Sequence, residues 1–277
     1  MTRSLGALAL ALAMGATMAA PQPAAATRYV PGSQCVLVIH RAKLPPYDEE
    51  QAVGIADSAR WGFGAELDVR LTSDNQLVMV HDDTLRRVTG GKVKQAAEDM
   101  TLAEITAVRL ARGGRVLTLA EALSAAQASG TRVLVEIKRH GRYRQRWDSV
   151  GLPALAATIH DLGMEADVYV GSAGSVEFSE LAPELQTFFR VGPGAVATTW
   201  IIDHGYDLVQ LDATHYDPAL VAELRTAGIL VGSRQINHRE TLLGAFGAGL
   251  RLFQGDRGRL LTKWCEAAAA GHGESTS

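Results

Sequence analysis

Two short segments carry charged side chains at a spacing that chemistry can use. In AELDVRL, residues 65–71, Glu66 and Asp68 stand two apart, and in RVLVEIK, residues 132–138, Glu136 and Lys138 do the same. Residues i and i+2 of an extended chain project from one face, so each pair shares a side of its strand. Taken singly, either pair also fits a solvent-facing strand edge; both falling late in otherwise apolar runs points to a common site. Glu66, Asp68 and Glu136 form an all-oxygen donor set suited to one hard divalent cation, Mg²⁺ or Ca²⁺. Zinc would call for His or Cys at ligand spacing, which the sequence lacks. His40 closes the run VLVI and His81 the run LVMV. A lone strand-end histidine is commonly a polar cap on the core, but two, one followed by Arg41 and the other by Asp82, suit general acid and base work near neutral pH. Asp82 and Asp83 are expected to orient His81 or hold the loop after it. Arg41 and Lys138 add fixed positive charge, and the whole set describes a pocket for a phosphate ester, whose oxygens gather negative charge as it reacts.

The elements that must position these groups read as repeated strand then helix. Strand candidates are CVLVIH (35–40), AELDVRL (65–71), QLVMVHD (76–82), RVLVEIK (132–138), DVYVGSA (167–173), TFFRVG (187–192), DLVQLDA (207–213), ILVGSRQI (229–236) and LRLFQGD (250–256). Helix-like stretches follow most of them: DEEQAVGIADSARWG, TLAEALSAAQASG, VGLPALAATIHDLG, DPALVAELRTAG and HRETLLGAFGAG. Several begin at Asp or Thr and end at Gly, which caps both ends. Nearly continuous apolar strands alternating with helices predict a parallel sheet, and about eight such units in about 250 residues predict a single-domain (β/α)₈ TIM barrel. Nine strand candidates are one too many. The connection TSDN is too short for a parallel crossover, so the second or third candidate is expected to lie outside the barrel. Charges at the carboxyl ends of barrel strands read as catalytic.

With 277 residues, 47% of them apolar, the chain can bury a substantial core, and a formal net charge of −3 argues against a nucleic-acid partner. Residues 1–26 read as a secretory signal peptide: Arg3, an Ala- and Leu-rich run from Leu5 to Ala20, and small residues before a cleavage after Ala26. That run is short and alanine-rich for a membrane span, and no other segment reaches the roughly 18 apolar residues one requires. A secreted location is expected, with an uncleaved membrane anchor as the alternative. The barrel is expected over residues 31–266 and a disordered tail over 267–277. Cys35 and Cys265 are the only cysteines. In an exported protein they can bridge the two ends of the fold if their Cα atoms lie within about 7 Å; two free thiols are the alternative.

The spaced combination of His-Arg at 40–41, GAELDVRLTSDNQLVMVHDDTLRRVTG at 64–90, LTLAEAL at 117–123, VLVEIK at 133–138 and the region from DLVQLDATHYDPALVAELRTAGI to GDRG resembles the glycerophosphodiester phosphodiesterases of the phosphatidylinositol-phospholipase-C-like superfamily. The resemblance covers most of the chain after residue 30. It implies a metal held by Glu66, Asp68 and Glu136, acid and base roles for His40 and His81, and phosphate contact by Arg41 and Lys138. It implies attack by a substrate hydroxyl on its own phosphate, which expels the alcohol and gives a cyclic phosphodiester that is then opened by water or released, with glycerol 3-phosphate and an alcohol as products of the family reaction. Three departures stand out. Ala42 follows His-Arg where the family usually has Gly, which would hold the backbone further from the phosphate. YDEE at 47–50 replaces a Pro-Glu-Asn-Thr element, with Asp48 at the place of the Glu. RQIN at 234–237 replaces Trp-Thr-Val-Asn, so Arg234 stands where the family has an aromatic wall.

The expected substrate is a small or lipid-derived phosphodiester. The residues leave open a phospholipase-D-type barrel acting on sphingomyelin or lysophospholipid, and a non-catalytic barrel that binds a phosphorylated ligand. The basic loop KRHGRYRQRW, residues 138–147, follows the Glu136 strand and suits peripheral contact with an anionic membrane or cell-wall polymer, or only a solvated surface.

Overall fold

The computed structural model describes residues 35–139, 144–173, 184–191 and 197–273. The nine strands are β1 (Val36–Ile39), β2 (Gly64–Leu71), β3 (Leu77–Met79), β4 (Val133–Ile137), β5 (Val168–Ala173), β6 (Gln186–Arg190), β7 (Leu208–Asp212), β8 (Leu230–Arg234) and β9 (Leu252–Gly255). All but β3 pair in parallel, in chain order, and β9 returns to β1 to close an eight-stranded barrel with helices between strands, a (β/α)₈ TIM barrel. The strand outside it is the third candidate. β3 runs antiparallel to the end of β2, with Val69 opposite Met79 and Leu71 opposite Leu77, through a TSDN turn in which Gln76 N donates to Thr72 Oγ1. It opens a long insert before β4 whose own small core gathers Val78, Val80, Leu85, Ile105 and Val116.

Strand alternation sorts the barrel. Outward residues such as Leu67, Val69, Val135 and Val170 pack under the helices. Inward, Val38, Leu134, Phe188, Leu208 and Leu252 make an apolar floor. At Gly171 and Gly232 there is no room for more: a Cβ would lie 2.1 Å from Phe188 O at the first and 2.8 Å from Leu252 Cβ at the second. Two residues further along the same strands or just past them, the inward positions become His40, Glu136, Arg190, Gln210 and Gln254. A polar layer therefore rests on an apolar one at the carboxyl ends of the strands, where a barrel keeps its reactive groups.

Helix ends follow the expected chemistry at several places. Thr118 and Glu121 form a reciprocal capping box for helix Leu119–Ser129, which stops at Gly130 with φ 69°. Asp217 caps helix Pro218–Thr226 through Ala219 N. The first helix differs: it starts at Ala52, with Asp48, Glu49, Glu50 and Gln51 left in the loop ahead of it, because Glu50 is left-handed at φ 59°. The last helix, Gly258–Gly273, extends past residue 267, where the tail is expected to begin, and 274–277 lie outside the described residues, as do residues 1–34 with the expected signal peptide. Cys35 and Cys265 form a disulfide with Cα atoms 6.3 Å apart. No helix among the described residues is long and apolar enough to cross a membrane.

Candidate active site

β2 and β4 lie side by side in a register that sets Asp68 opposite Glu136, with Glu66 one inward position earlier. Glu66, Asp68 and Glu136 are all buried, and one oxygen from each lies within 4.8 Å of the others. Three carboxylates held this close repel one another. Burial first, then the charges of Asp68 and Glu136, push the Glu66 pKa well above the ordinary carboxylate range. Glu136 goes the other way: burial opposes it, but the Arg190 guanidinium and the Lys138 ammonium hold it below its ordinary value. Glu66 Oε2 accepts from Arg41 N at 2.8 Å, whereas Glu66 Oε1 is buried with no hydrogen-bond partner. A buried orphan oxygen facing two neighbouring carboxylates fits a divalent cation, and the oxygen-only donor set suits Mg²⁺ or Ca²⁺.

Positive charge is distributed around the cluster. Lys138 Nζ lies 2.7 Å from both Asp68 Oδ1 and Glu136 Oε1. Arg41 reaches Asp68 at 3.7 Å and Glu49 at 3.6 Å. Arg190, at the end of β6, donates a short hydrogen bond to Glu136 Oε2 and also reaches Gln210 Oε1. His40 and Arg41 form the turn that leaves β1, and both Arg41 and Ala42 are left-handed, at φ 54° and 46°. Alanine thus makes the turn that glycine would make, at a backbone cost of about 1–2 kcal/mol.

Each histidine is tied through Nδ1 to an aspartate, which directs Nε2 elsewhere. His40 Nδ1 lies 2.9 Å from Asp256 Oδ1, and Asp256 Oδ2 accepts from Asn237 Nδ2 at 2.9 Å. His81 Nδ1 lies 2.6 Å from Asp82 Oδ1, Asp82 Oδ2 accepts from Arg87 Nε at 2.6 Å, and Arg87 forks onto both oxygens of Glu49. The ion pairs thus run from His81 through Asp82, Arg87 and Glu49 to Arg41. Burial lowers the His81 pKa, opposed by the charge of Asp68 and the bond to Asp82 and assisted by Lys138 and Arg41. The chain of ion pairs ends on Arg41, which also reaches Asp68, and so ties His81 to the carboxylate cluster. Asp83 serves the insert: it accepts from Arg70, which also pairs with Glu98 and donates to the carbonyls of Val80 and His81.

The structure therefore gathers Arg41, Glu66, Asp68, Glu136 and Lys138 into one cluster, with His40 beside it at the end of β1 and His81 at its edge. It also corrects one position. Asp48 faces away, accepting from Arg112 N and Gly114 N, and Glu50 enters the site instead, its Oε1 accepting from Asp68 N at 2.8 Å. Glu49, Glu50, Arg190, Asn237 and Asp256 escape the sequence reading. Of these only Arg190 carries the usable signal, a charge ending the apolar run TFF. In the basic loop, Arg139 turns inward to pair with Asp148 and Arg146 donates to Leu71 O, while 140–143 lie outside the described residues. A cavity of about 730 Å³ lies at the opposite end of the barrel, among Val36, Arg132, Asp207 and Arg251, separated from these groups by the apolar floor.

A parallel barrel with this polar crown belongs to the class of barrel hydrolases that cleave phosphoric diesters. The sequence profile of the glycerophosphoryl diester phosphodiesterase family matches residues 61–237, and the chain belongs to that family. No curated protein matches the chain in sequence. Solved structures share the fold at low identity. A glycerophosphodiester phosphodiesterase from Parabacteroides distasonis is 18% identical with a TM-score of 0.73, over 86% of this chain and 99% of that one. An Oleispira antarctica phosphodiesterase in complex with the product sn-glycerol-3-phosphate is 19% identical with a TM-score of 0.72, over 83% and 96%. A glycerophosphodiester phosphodiesterase from Agrobacterium tumefaciens is 20% identical with a TM-score of 0.68, over 82% and 99%.

Proposed function

We propose that this phosphodiesterase is secreted and hydrolyses glycerophosphodiesters to glycerol 3-phosphate and an alcohol, with one divalent cation, Mg²⁺ or Ca²⁺, on Glu66, Asp68 and Glu136. The observation that carries the reading is the pair of histidines, each fixed at Nδ1 by its own aspartate beside the buried carboxylates. One imidazole takes the proton from the oxygen that attacks phosphorus, and the other returns a proton to the alcohol oxygen as its bond to phosphorus breaks. Arg41 and Lys138 hold the phosphate oxygens as negative charge builds on them. The cation, when bound, supplies Lewis-acid polarisation of a phosphate oxygen. Support for this substrate class comes from the family and from the product in the Oleispira antarctica structure. Support for export comes from the signal-like residues 1–26 and from the disulfide, which suits an oxidising compartment.

A substrate panel with and without chelator tests the proposal: glycerophosphocholine, lysophosphatidylcholine and sphingomyelin, with added Mg²⁺ or Ca²⁺. Cation-dependent release of glycerol 3-phosphate is expected, and turnover of the lipids alone would overturn the assignment. His40→Ala and His81→Ala are each expected to abolish turnover with the melting temperature retained. Glu66→Gln is expected to weaken cation binding by more than about tenfold in calorimetric titration. An unchanged titration removes Glu66 from the ligand set.

A further inference from the structure

Among the described residues, the cations in contact with the carboxylate cluster are matched to carboxylates. Lys138 has Asp68 and Glu136, Arg190 has Glu136, and Arg41 has Glu49 and Asp68. Arg234 closes β8 two residues after Gly232, whose Cβ would press on Leu252 of the lumen floor, so alternation sends Arg234 to the same inward side at the mouth. It is half-buried, and no carboxylate among the described residues pairs with it. Asp212, its register partner on β7, is occupied by Thr214, whose N and Oγ1 both donate to Oδ1. Burial, then the neighbouring Arg190, lowers the Arg234 pKa, with Asp212 and Glu136 attracting it only from beyond ion-pair contact. A half-buried guanidinium on the lumen side, with its fork of donors unclaimed among the described residues, is costly unless an anion joins it.

We infer that Arg234 forms a second anion subsite, taking a carboxylate or phosphate group carried on the alcohol half of the substrate. The inference rests on the glycerophosphodiester reading above, since the glycerol half of such a substrate has no anion beyond the scissile phosphate. A quaternary ammonium in the same place would meet the Arg234 guanidinium and be repelled.

Two synthetic glycerophosphodiesters test this, one of glycolate and one of glycolamide, matched in size and differing by one charge, with the choline ester as a cationic third. The expected kcat/KM is at least roughly tenfold higher for the glycolate ester than for the glycolamide ester, the size of one charge-assisted hydrogen bond. In Arg234→Gln that ratio is expected to fall towards one, and in Arg234→Lys, which keeps the charge but not the fork, to fall only partway. A ratio near one in the wild-type protein overturns the inference whether or not the variants fold. So does a ratio that survives in folded Arg234→Gln. Turnover of all three esters without preference leaves the glycerophosphodiester reading standing, whereas turnover of none, with cation present, removes both.

Discussion

At Asp256 one carboxylate holds His40 on one oxygen and Asn237 on the other, and its own N–H donates to Asn237 Oδ1 at 3.2 Å. The hydrogen bond from His40, with that from Asn237 and the charges of His40 and Lys43, lowers its pKa to about 2 against the opposing effect of burial. A folded value below the ordinary 3.8 means that this carboxylate contributes stability fully present above about pH 4 and lost as pH falls through about 2. Asp256→Asn should therefore lower the urea midpoint at pH 5 and leave a smaller difference from wild type at pH 2. A difference that stays constant across that range would refute the linkage. The same substitution presents a different partner to His40 Nδ1 and releases the ring to the wrong tautomer. A fall in kcat on the order of 10³-fold is expected, with KM little changed, read by steady-state kinetics on any ester the wild type turns over.

Among the elements, the insert between β2 and β4 matters most for function, because it carries His81 while lying outside the barrel. Its anchor is Arg70, 2% exposed, which meets Glu98 at 2.5 Å and Asp83 at 2.7 Å and donates to the His81 carbonyl. Arg70→Leu leaves Glu98 buried and unpaired, and a loss of about 3–5 kcal/mol is expected by chemical denaturation. Arg70→Leu combined with Glu98→Leu should recover most of that stability yet not the turnover, since the clamp on the His81 backbone stays absent. Recovery of both would show that the insert needs no such anchor. The strand period is what makes much of the site legible in the sequence: once AELDVRL and VLVEIK are strands, the shared faces of Glu66 with Asp68 and of Glu136 with Lys138 follow, whereas the four-residue turn TSDN says only that AELDVRL or QLVMVHD lies outside the barrel, and the antiparallel pairing of β3 decides between them. Glu49 and Glu50 are hidden because DEEQ looks like the acidic first turn of a helix, and only the left-handed backbone at Glu50 keeps it out. Asp256 and Asn237 are hidden for another reason: His40 meets its partner across 216 positions, a distance over which local spacing says nothing.

For the molecule as a whole, the barrel is closed by its least local contact, the pairing of β1 with β9, in which Val36 stands beside Leu252. Forming that seam brings together the two ends of the described chain, and the chain entropy lost in doing so opposes closure. The disulfide spans the same seam. Cys35 immediately precedes β1, Cys265 lies in helix Gly258–Gly273 that follows β9, and the bond encloses a separation of 230 residues. In the chain-entropy account a loop of that length confines the unfolded state by about 5 kcal/mol, an upper figure because real unfolded chains keep some structure. The bond also lies at the amino ends of the strands, with Cys35 on the wall of the lower cavity, while the histidines and carboxylates lie above the apolar floor. Its contribution should thus be separable from the chemistry. Cys35→Ser with Cys265→Ser is expected to lower the urea midpoint and the melting temperature markedly, while kcat at 25 °C, where the barrel is still folded, stays within about twofold of wild type. Equal midpoints for the oxidised protein and the double variant would show that the seam holds without its covalent clamp, and a loss of kcat in the folded variant would show that strain at the lower rim reaches the catalytic face through the floor.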